Sequence, residues 1–233
     1  GCRFHCAFCA SGQAGFRRSL ETGEMICQFL LAAREWGLPP THVVFMGIGE
    51  PMDNYDNVLK TVRILNNPDG LNIGARRITI STCGIVPGIE RLSEEGLQVE
   101  LSVSLHAADN ALRDKLMPVN KRFPLEPLLA ACAAYSEKTG RIVTFEYTLI
   151  RNLNDTPDCA DSLANLLRSR MALVNLIPLS PVDEFPHQSP LPDVAERFAA
   201  ILERAGINVT LRQSRGCSLQ AGCGQLRYRK GSA

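Results

Sequence analysis

Residues 98–104 read QVELSVS and residues 142–149 read IVTFEYTL. Between these two β-branched runs lies a stretch, 124–138, in which Leu125, Leu128, Leu129, Cys132 and Tyr135 fall on one side of a helix. Strand, crossing helix and second strand predict a right-handed βαβ unit with parallel strands. Working outward, similar runs at His42–Gly47, Arg77–Thr82, Ala172–Pro178 and Ile207–Gln213 predict four more strands. Apolar stripes predict helices near 21–36 (Met25, Ile26, Phe29, Leu30, Ala33) and 191–205 (Val194, Phe198, Ile201, Leu202), with weaker helical stretches at 54–67, 87–96 and 156–169. The alternation predicts an α/β protein with a mainly parallel sheet, either an open doubly wound sheet or a barrel. No repeat, low-complexity tract or Pro/Gly linker divides the chain, so residues 1–233 are read as one domain. The Pro-rich stretch 178–192 is too long for a plain connector and is a candidate functional loop.

With 233 residues the chain can bury roughly 70–75% of its unfolded surface and needs no disulfide scaffold. Hydrophobic residues make up 45% and charged residues 21%, which fits a globular protein and excludes a disordered one. No apolar run approaches the roughly 20 residues needed to cross a bilayer. Lys+Arg minus Asp+Glu is 25 − 24 = +1, so bulk charge does not announce a nucleic-acid binder. Nine cysteines, an odd number with no signal peptide, argue for reduced thiols used as ligands or in chemistry. The chain opens on Gly1 and Cys2, which predicts a true start further upstream.

Residues 1–15, GCRFHCAFCASGQAG, place Cys2, Cys6 and Cys9 at C-x3-C-x2-C. Three thiolates within eight residues wrap one metal centre only from a loop, and Gly12 and Gly15 supply one. A structural zinc site wants four protein ligands, and no fourth is evident, because His5 shares the same tight loop. Three cysteines suit a [4Fe–4S] cluster whose fourth iron is open to a small molecule. The bland reading, a run of unrelated thiols, fits poorly with the polar, glycine-spaced sequence.

This spacing is similar to the signature of the radical S-adenosylmethionine (SAM) enzymes. Six further segments follow in order: VVFMGIGEPMDN (43–54), ITISTCGIVPGI (78–89), LSVSLHAADNALRDKLMPVN (101–120), TFEYTLI (144–150), NLIPLSP (175–181) and SRGCSLQAGCGQL (214–226). Together the chain resembles, over nearly its whole length, the dual-specificity adenosine C-2 methyltransferases of 23S ribosomal RNA and tRNA. The resemblance implies a partial (β/α)6 radical-SAM barrel whose first strand, accessory domain and proton-accepting Glu lie upstream of Cys2.

It also implies residue roles. Cys2, Cys6 and Cys9 hold the [4Fe–4S] cluster. Gly49 and Glu50, after the first strand of the chain, receive the amino-acid end of SAM, a role suited to close backbone approach and a carboxylate. Ser81, Ser104, Leu105, His106 and Asn175 match further SAM contacts. Taken alone, a Glu after a glycine turn faces solvent, a strand-end His is structural more often than a ligand, and a strand-end Asn is a turn residue. Cys223, between two glycines and past the last predicted strand, reads as a nucleophile. The resemblance makes it the methyl carrier: one SAM methylates the thiolate, a second yields the radical that activates the methyl group, and the carbon adds to electron-poor adenine C2. Releasing the protein–RNA adduct takes a second thiol. In the family this thiol lies upstream of the cluster motif, and Cys83 and Cys217 are poor substitutes for it. Cys132 and Cys159 read as core and Cys27 as structural. Gly222, where the family has Ala, and the extra Cys217 are departures.

From Arg204 onward the chain carries Arg204, Arg212, Arg215, Arg227, Arg229 and Lys230 and no acidic residue. Arg17, Arg18, Lys121 and Arg122 lie near other motif loops. This is either a rim for RNA phosphates or an ordinary solvated surface. The expected partners are 23S rRNA, tRNA and a flavodoxin-like one-electron reductant, with no membrane, in a monomeric cytoplasmic protein. Two rivals stay open: a related carbon-8 methyltransferase of the antibiotic-resistance type, and a non-catalytic metal-bound RNA-binding module.

Overall fold

The computed structural model describes residues 1–212 and 224–225. Six parallel strands form one sheet in the order β1-β2-β3-β4-β5-β6: β1 Val43–Phe45, β2 Ile78–Thr82, β3 Glu100–Ser104, β4 Val143–Leu149, β5 Ala172–Pro178 and β6 Asn208–Leu211. Each strand pairs with its neighbour in sequence, so the chain winds in one direction, as crossovers of a single hand require. β1 and β6 are the two edges, and the sheet is a partial barrel. All six strands expected from the sequence are present, within three residues at each end.

Helix α2 (Thr22–Trp36) precedes β1, and the five crossovers carry α3 (Tyr55–Asn66), α4 (Val86–Ser93), α6 (Leu125–Thr139), α7 (Pro157–Leu167) and α8 (Pro192–Arg204). Their ends follow local chemistry. The side chains of Glu21 and Glu24 form a capping box on α2, and Thr156 accepts from the Cys159 amide ahead of Pro157 in α7. Two short helices escape the sequence reading: α1 (Ala10–Gln13) inside the cysteine loop, and α5 (Asn110–Leu116), seven residues capped by Asp109. A seven-residue helix offers too few turns for an apolar period to show.

Alternation divides the sheet into two faces. Ile78, Ile80, Leu101, Val103, Phe145, Tyr147, Val174 and Leu176 point toward the helices and form one core with them. The residues between them, Thr79, Ser81, Ser102, Ser104, Thr144, Glu146, Thr148, Asn175 and Thr210, line the inner face, in register from strand to strand. A parallel sheet normally reads apolar on both faces, so a polar inner face marks a surface kept for something other than packing. A second, smaller apolar cluster closes the C-terminal end of the sheet. There Phe4, Cys6 and Phe8 pack against Leu116, Met117, Val119, Ile150 and Leu179. No helix among the described residues is long and apolar enough to cross a membrane.

Candidate active site

The cysteine motif forms a closed loop at the C-terminal end of the sheet. The Cys2 amide donates to the Gly15 carbonyl at 3.1 Å, and a tight turn carries the Cys9 amide to the Cys6 carbonyl, also at 3.1 Å. Inside the loop a Cβ at Gly12 would lie 3.2 Å from the Cys6 nitrogen, a tight approach that glycine relieves. Three anchors hold the loop down. The Ala7 amide donates to Leu116 O of α5 at 2.9 Å, the Ala10 amide donates to Gly224 O at 2.8 Å, and the Phe8 ring meets His106 edge-on at 4.7 Å.

Cys2, Cys6 and Cys9 are half-buried. Burial pushes the Cys2 and Cys6 thiols up, and Cys9 raises both further, as Cys2 does Cys6, which places the three sulfurs within electrostatic reach. Such a set is costly as bare thiolates and is relieved by a cationic centre. Among the described residues, no three His, Cys, Asp or Glu side chains are arranged around a single metal ion. A single zinc at about 2.3 Å from each sulfur needs its ligands crowded together, whereas each cysteine of a cubane binds its own iron and stands further apart. The donor set therefore fits the three-cysteine [4Fe–4S] cluster. His5 is exposed.

The loop after β1 comes directly against the cluster loop. Gly49 has φ +102°, and a Cβ there would lie 2.9 Å from the Gly1 carbonyl oxygen, so backbone meets backbone where only glycine fits. Glu50 is half-buried and ties two strand ends together. Oε1 accepts from the Met52 amide at 3.0 Å and Oε2 from the Cys83 amide at 2.7 Å. Burial raises its pKa against the opposing effect of these donors. Each oxygen keeps acceptor capacity for an incoming ammonium group.

Ser81 and Ser104 lie on the inner face. The Leu105 side chain is buried in the helix-side core, its amide donates to Glu146 O and its carbonyl receives Arg113, so its backbone is also committed. His106 is 4% exposed with φ +58°, held there by Asn154, whose amide nitrogen donates to the His106 and Thr148 carbonyls. The His106 Nδ1 accepts from the Thr148 amide at 2.9 Å. Burial pulls its pKa down to about 3, so the ring is neutral at physiological pH, with its proton on Nε2. Asn175 donates to Glu146 Oε1 at 3.1 Å. Cys223 and Cys217 lie outside the described residues, as do Arg215, Arg227, Arg229 and Lys230. Gly224, next in sequence to Cys223, is described: its φ is +78°, and a Cβ there would lie 3.1 Å from the Phe8 carbonyl of the cluster loop. Of the basic residues expected at a rim, Arg18 is paired with Glu24 at 2.6 Å, and Arg122 lies over the Phe123 ring.

Two residues of the site were not read from the sequence. Arg113 is fully buried, and its five N–H donors go to Leu105 O, Asn120 Oδ1, Phe123 O, Cys83 O and Ser104 O. It stitches the ends of β2 and β3 to α5, which also carries the Leu116 anchor of the cluster loop. Burial lowers its pKa to about 10, which leaves it a cation. A buried Arg announces itself by nothing in sequence. Glu146 is the second, and it had a signal: an acidic residue at an inward position of an alternating parallel strand. Cys83 is buried and its thiol is pushed well up, which suits a packed group rather than a nucleophile.

Comparison with known proteins agrees with this geometry. A family model described as the radical SAM superfamily matches residues 1–163. A probable dual-specificity RNA methyltransferase RlmN of Moorella thermoacetica is 52% identical over 98% of the chain, and the chain covers 66% of it. A probable RlmN of Desulforudis audaxviator is 49% identical over 98% of the chain, which covers 72% of it. The crystal structure of a radical SAM methyltransferase from Sphaerobacter thermophilus superposes over 97% of the chain and 67% of its own length, with a TM-score of 0.95 at 49% identity. The chain thus spans about two thirds of the length of these relatives.

Proposed function

The chain belongs to the radical SAM superfamily and, within it, to the dual-specificity RNA methyltransferases, and on that premise we propose that it methylates carbon 2 of adenosine in 23S rRNA and tRNA, with Cys223 as methyl carrier. The family's cofactors are a [4Fe–4S] cluster and SAM, and Cys2, Cys6 and Cys9 are the residues that would hold the cluster. When bound and reduced by an external one-electron donor, the cluster supplies the electron that splits SAM to a 5′-deoxyadenosyl radical.

The chain's own residues bind and orient. Gly49, lacking a side chain, lets the loop after β1 lie directly against the cluster loop, and Glu50 offers a carboxylate, already fixed by two amides, to the ammonium of SAM. Ser81, Ser104 and Asn175 present polar groups along the inner face, and His106, neutral and fixed by Thr148, closes the wall behind Phe8. Carbon 2 of adenine, between two ring nitrogens, is too electron-poor to take a methyl group from SAM directly. A thiolate at Cys223 takes it instead and carries it to the base. The target adenine must leave its stack to be reached.

The observation that supports this assignment is the hydrogen bond from the Ala10 amide to Gly224 O, which docks the residue beside Cys223 onto the cluster loop. The test is Cys223→Ala in the full-length enzyme, reconstituted with its cluster and given reductant, SAM and RNA. Deoxyadenosine release is expected to persist while methylated RNA, read by mass spectrometry of nucleosides, falls below detection. Surviving RNA methylation would refute the carrier role. Methyl groups found on carbon 8 would refute the regiochemistry alone.

A further inference from the structure

Arg113 is fully buried on α5, and each of its donors ends on a neutral oxygen: the carbonyls of Cys83, Ser104, Leu105 and Phe123, and Asn120 Oδ1. Among the described residues it forms no ion pair. Asp114, next to it in sequence, attracts it but is itself bound to Asn120 Nδ2 at 2.7 Å. These bonds satisfy the guanidinium hydrogens without cancelling the charge. A buried charge is expensive unless an anion faces it, so the balance must come from elsewhere.

The place of the guanidinium says which anion supplies it. Its Nη2 reaches Cys83 O at 2.9 Å, and Cys83 and Cys6 belong to the small apolar cluster at the C-terminal end of the sheet. One helical turn beyond Arg113, Leu116 O receives the amide of Ala7, the residue next to Cys6. Burial pushes the Cys6 thiol up, and Arg113 opposes that rise, so the cation acts on this sulfur. Leu116, Met117 and Phe8 keep the surroundings apolar, where charges are weakly screened. Three thiolates around a [4Fe–4S] core make a negatively charged centre, and reduction makes it more negative. A fixed cation beside it therefore favours the reduced form.

We propose that Arg113 tunes the reduction potential of the [4Fe–4S] cluster, holding it higher than the three-cysteine loop alone would and so easier for a one-electron donor to reduce. The proposal rests on the assignment of the cluster to Cys2, Cys6 and Cys9 under the proposed function. It gives the buried guanidinium two tasks. Its hydrogen bonds join β2 and β3 to α5, and its charge, which those bonds leave uncancelled, acts on the cluster.

The test is a redox titration, followed by electron paramagnetic resonance without SAM or RNA, of the reconstituted full-length protein and its variants. Arg113→Met removes the charge. At a fixed potential it is expected to shift the cluster about tenfold toward the oxidised form, a midpoint roughly 59 mV lower for a one-electron couple. Arg113→Lys keeps the charge and is expected to lie closer to the parent than to Arg113→Met. The sign separates charge from structure: a loop that is merely loosened admits water, which favours the more highly charged reduced cluster and raises the potential. An unchanged or higher potential in Arg113→Met, or an equal fall in Arg113→Lys, overturns the proposal and leaves the cluster assignment intact. If Arg113→Met does not fold, the double variant Asn120→Asp with Asp114→Asn decides. It sets a carboxylate against the guanidinium while keeping Arg113 and the chain's net charge, and a lower potential is expected. An unchanged or higher potential there overturns the proposal. A parent protein that takes up no cluster on reconstitution overturns the proposal and the cluster assignment together.

Discussion

The two faces of the one sheet obey different rules. Toward the helices, Phe145 and Tyr147 are each 1% exposed and Val174 is fully buried, in a continuous apolar core. On the inner face, one residue away along the same strands, stand Thr144, Glu146 and Asn175. The first face gains free energy by leaving water, at about 25 cal/mol per Å2. The second gives that up and holds polar groups, buried Glu146 being the clearest case. Stability and chemistry are thus separated by a single step in the β pleat rather than by domains. Where the faces meet, at the C-terminal strand ends, Arg113 satisfies the carbonyls that the ladder leaves open.

Substitutions can break or sharpen that contrast. The largest effect is expected at the junction. Arg113→Met strands four carbonyls, two of them in buried bonds, and Asn120 Oδ1, and urea denaturation should show a loss of about 5 kcal/mol or no folded protein. A loss under about 1 kcal/mol would mean that the junction does not hold the faces together. Next comes the direct comparison within β4. Phe145→Ala is expected to cost about 3–4 kcal/mol by the same measurement, and the adjacent Thr144→Ala less than about 1 kcal/mol. Equal costs would erase the distinction between the faces.

A smaller, pH-dependent effect is expected at His106. Its folded pKa, about 3, lies below its ordinary value of 6.5. The unfolded chain therefore binds the extra proton in that window, and the stability contributed by the neutral ring is present above pH 6.5 and lost as the pH falls toward about 3. His106→Leu, which leaves the Thr148 amide without its acceptor, should cost about 2 kcal/mol at pH 7.5. That gap should shrink in denaturation series run at successively lower pH, and a gap that stays constant would contradict a buried neutral imidazole.

Much of the architecture was legible because its causes are local. The six strands are β-branched runs punctuated by glycine, and their positions follow from propensity and turn chemistry. β1 is shorter than its sequence suggests, three residues at an edge with one neighbour to pair with. The cysteine loop was legible because three ligands lie within eight residues, and Gly12 does there what its lack of a side chain implied. Assigning Leu105 to the site by sequence position did not reveal that its side chain belongs to the core and its backbone to Arg113 and Glu146. The roles of Arg113 and Asn154 were invisible, because both act on backbone groups distant in sequence: Arg113 reaches Cys83, 30 positions away, and Asn154 reaches His106, 48 positions away.

By itself the sequence determined the α/β winding, the cluster-binding motif and the family, since each rests on spacing within short segments. Only the tertiary structure decided which face of the sheet is kept polar and how the cluster loop is pinned by Leu116, His106 and Gly224. It alone also showed that Glu146 is buried on that polar face and tied to Asn175 of the next strand. The physical reason is that burial and hydrogen-bond satisfaction belong to places in space, filled from several strands at once, and one strand's residues cannot state what its neighbours will supply.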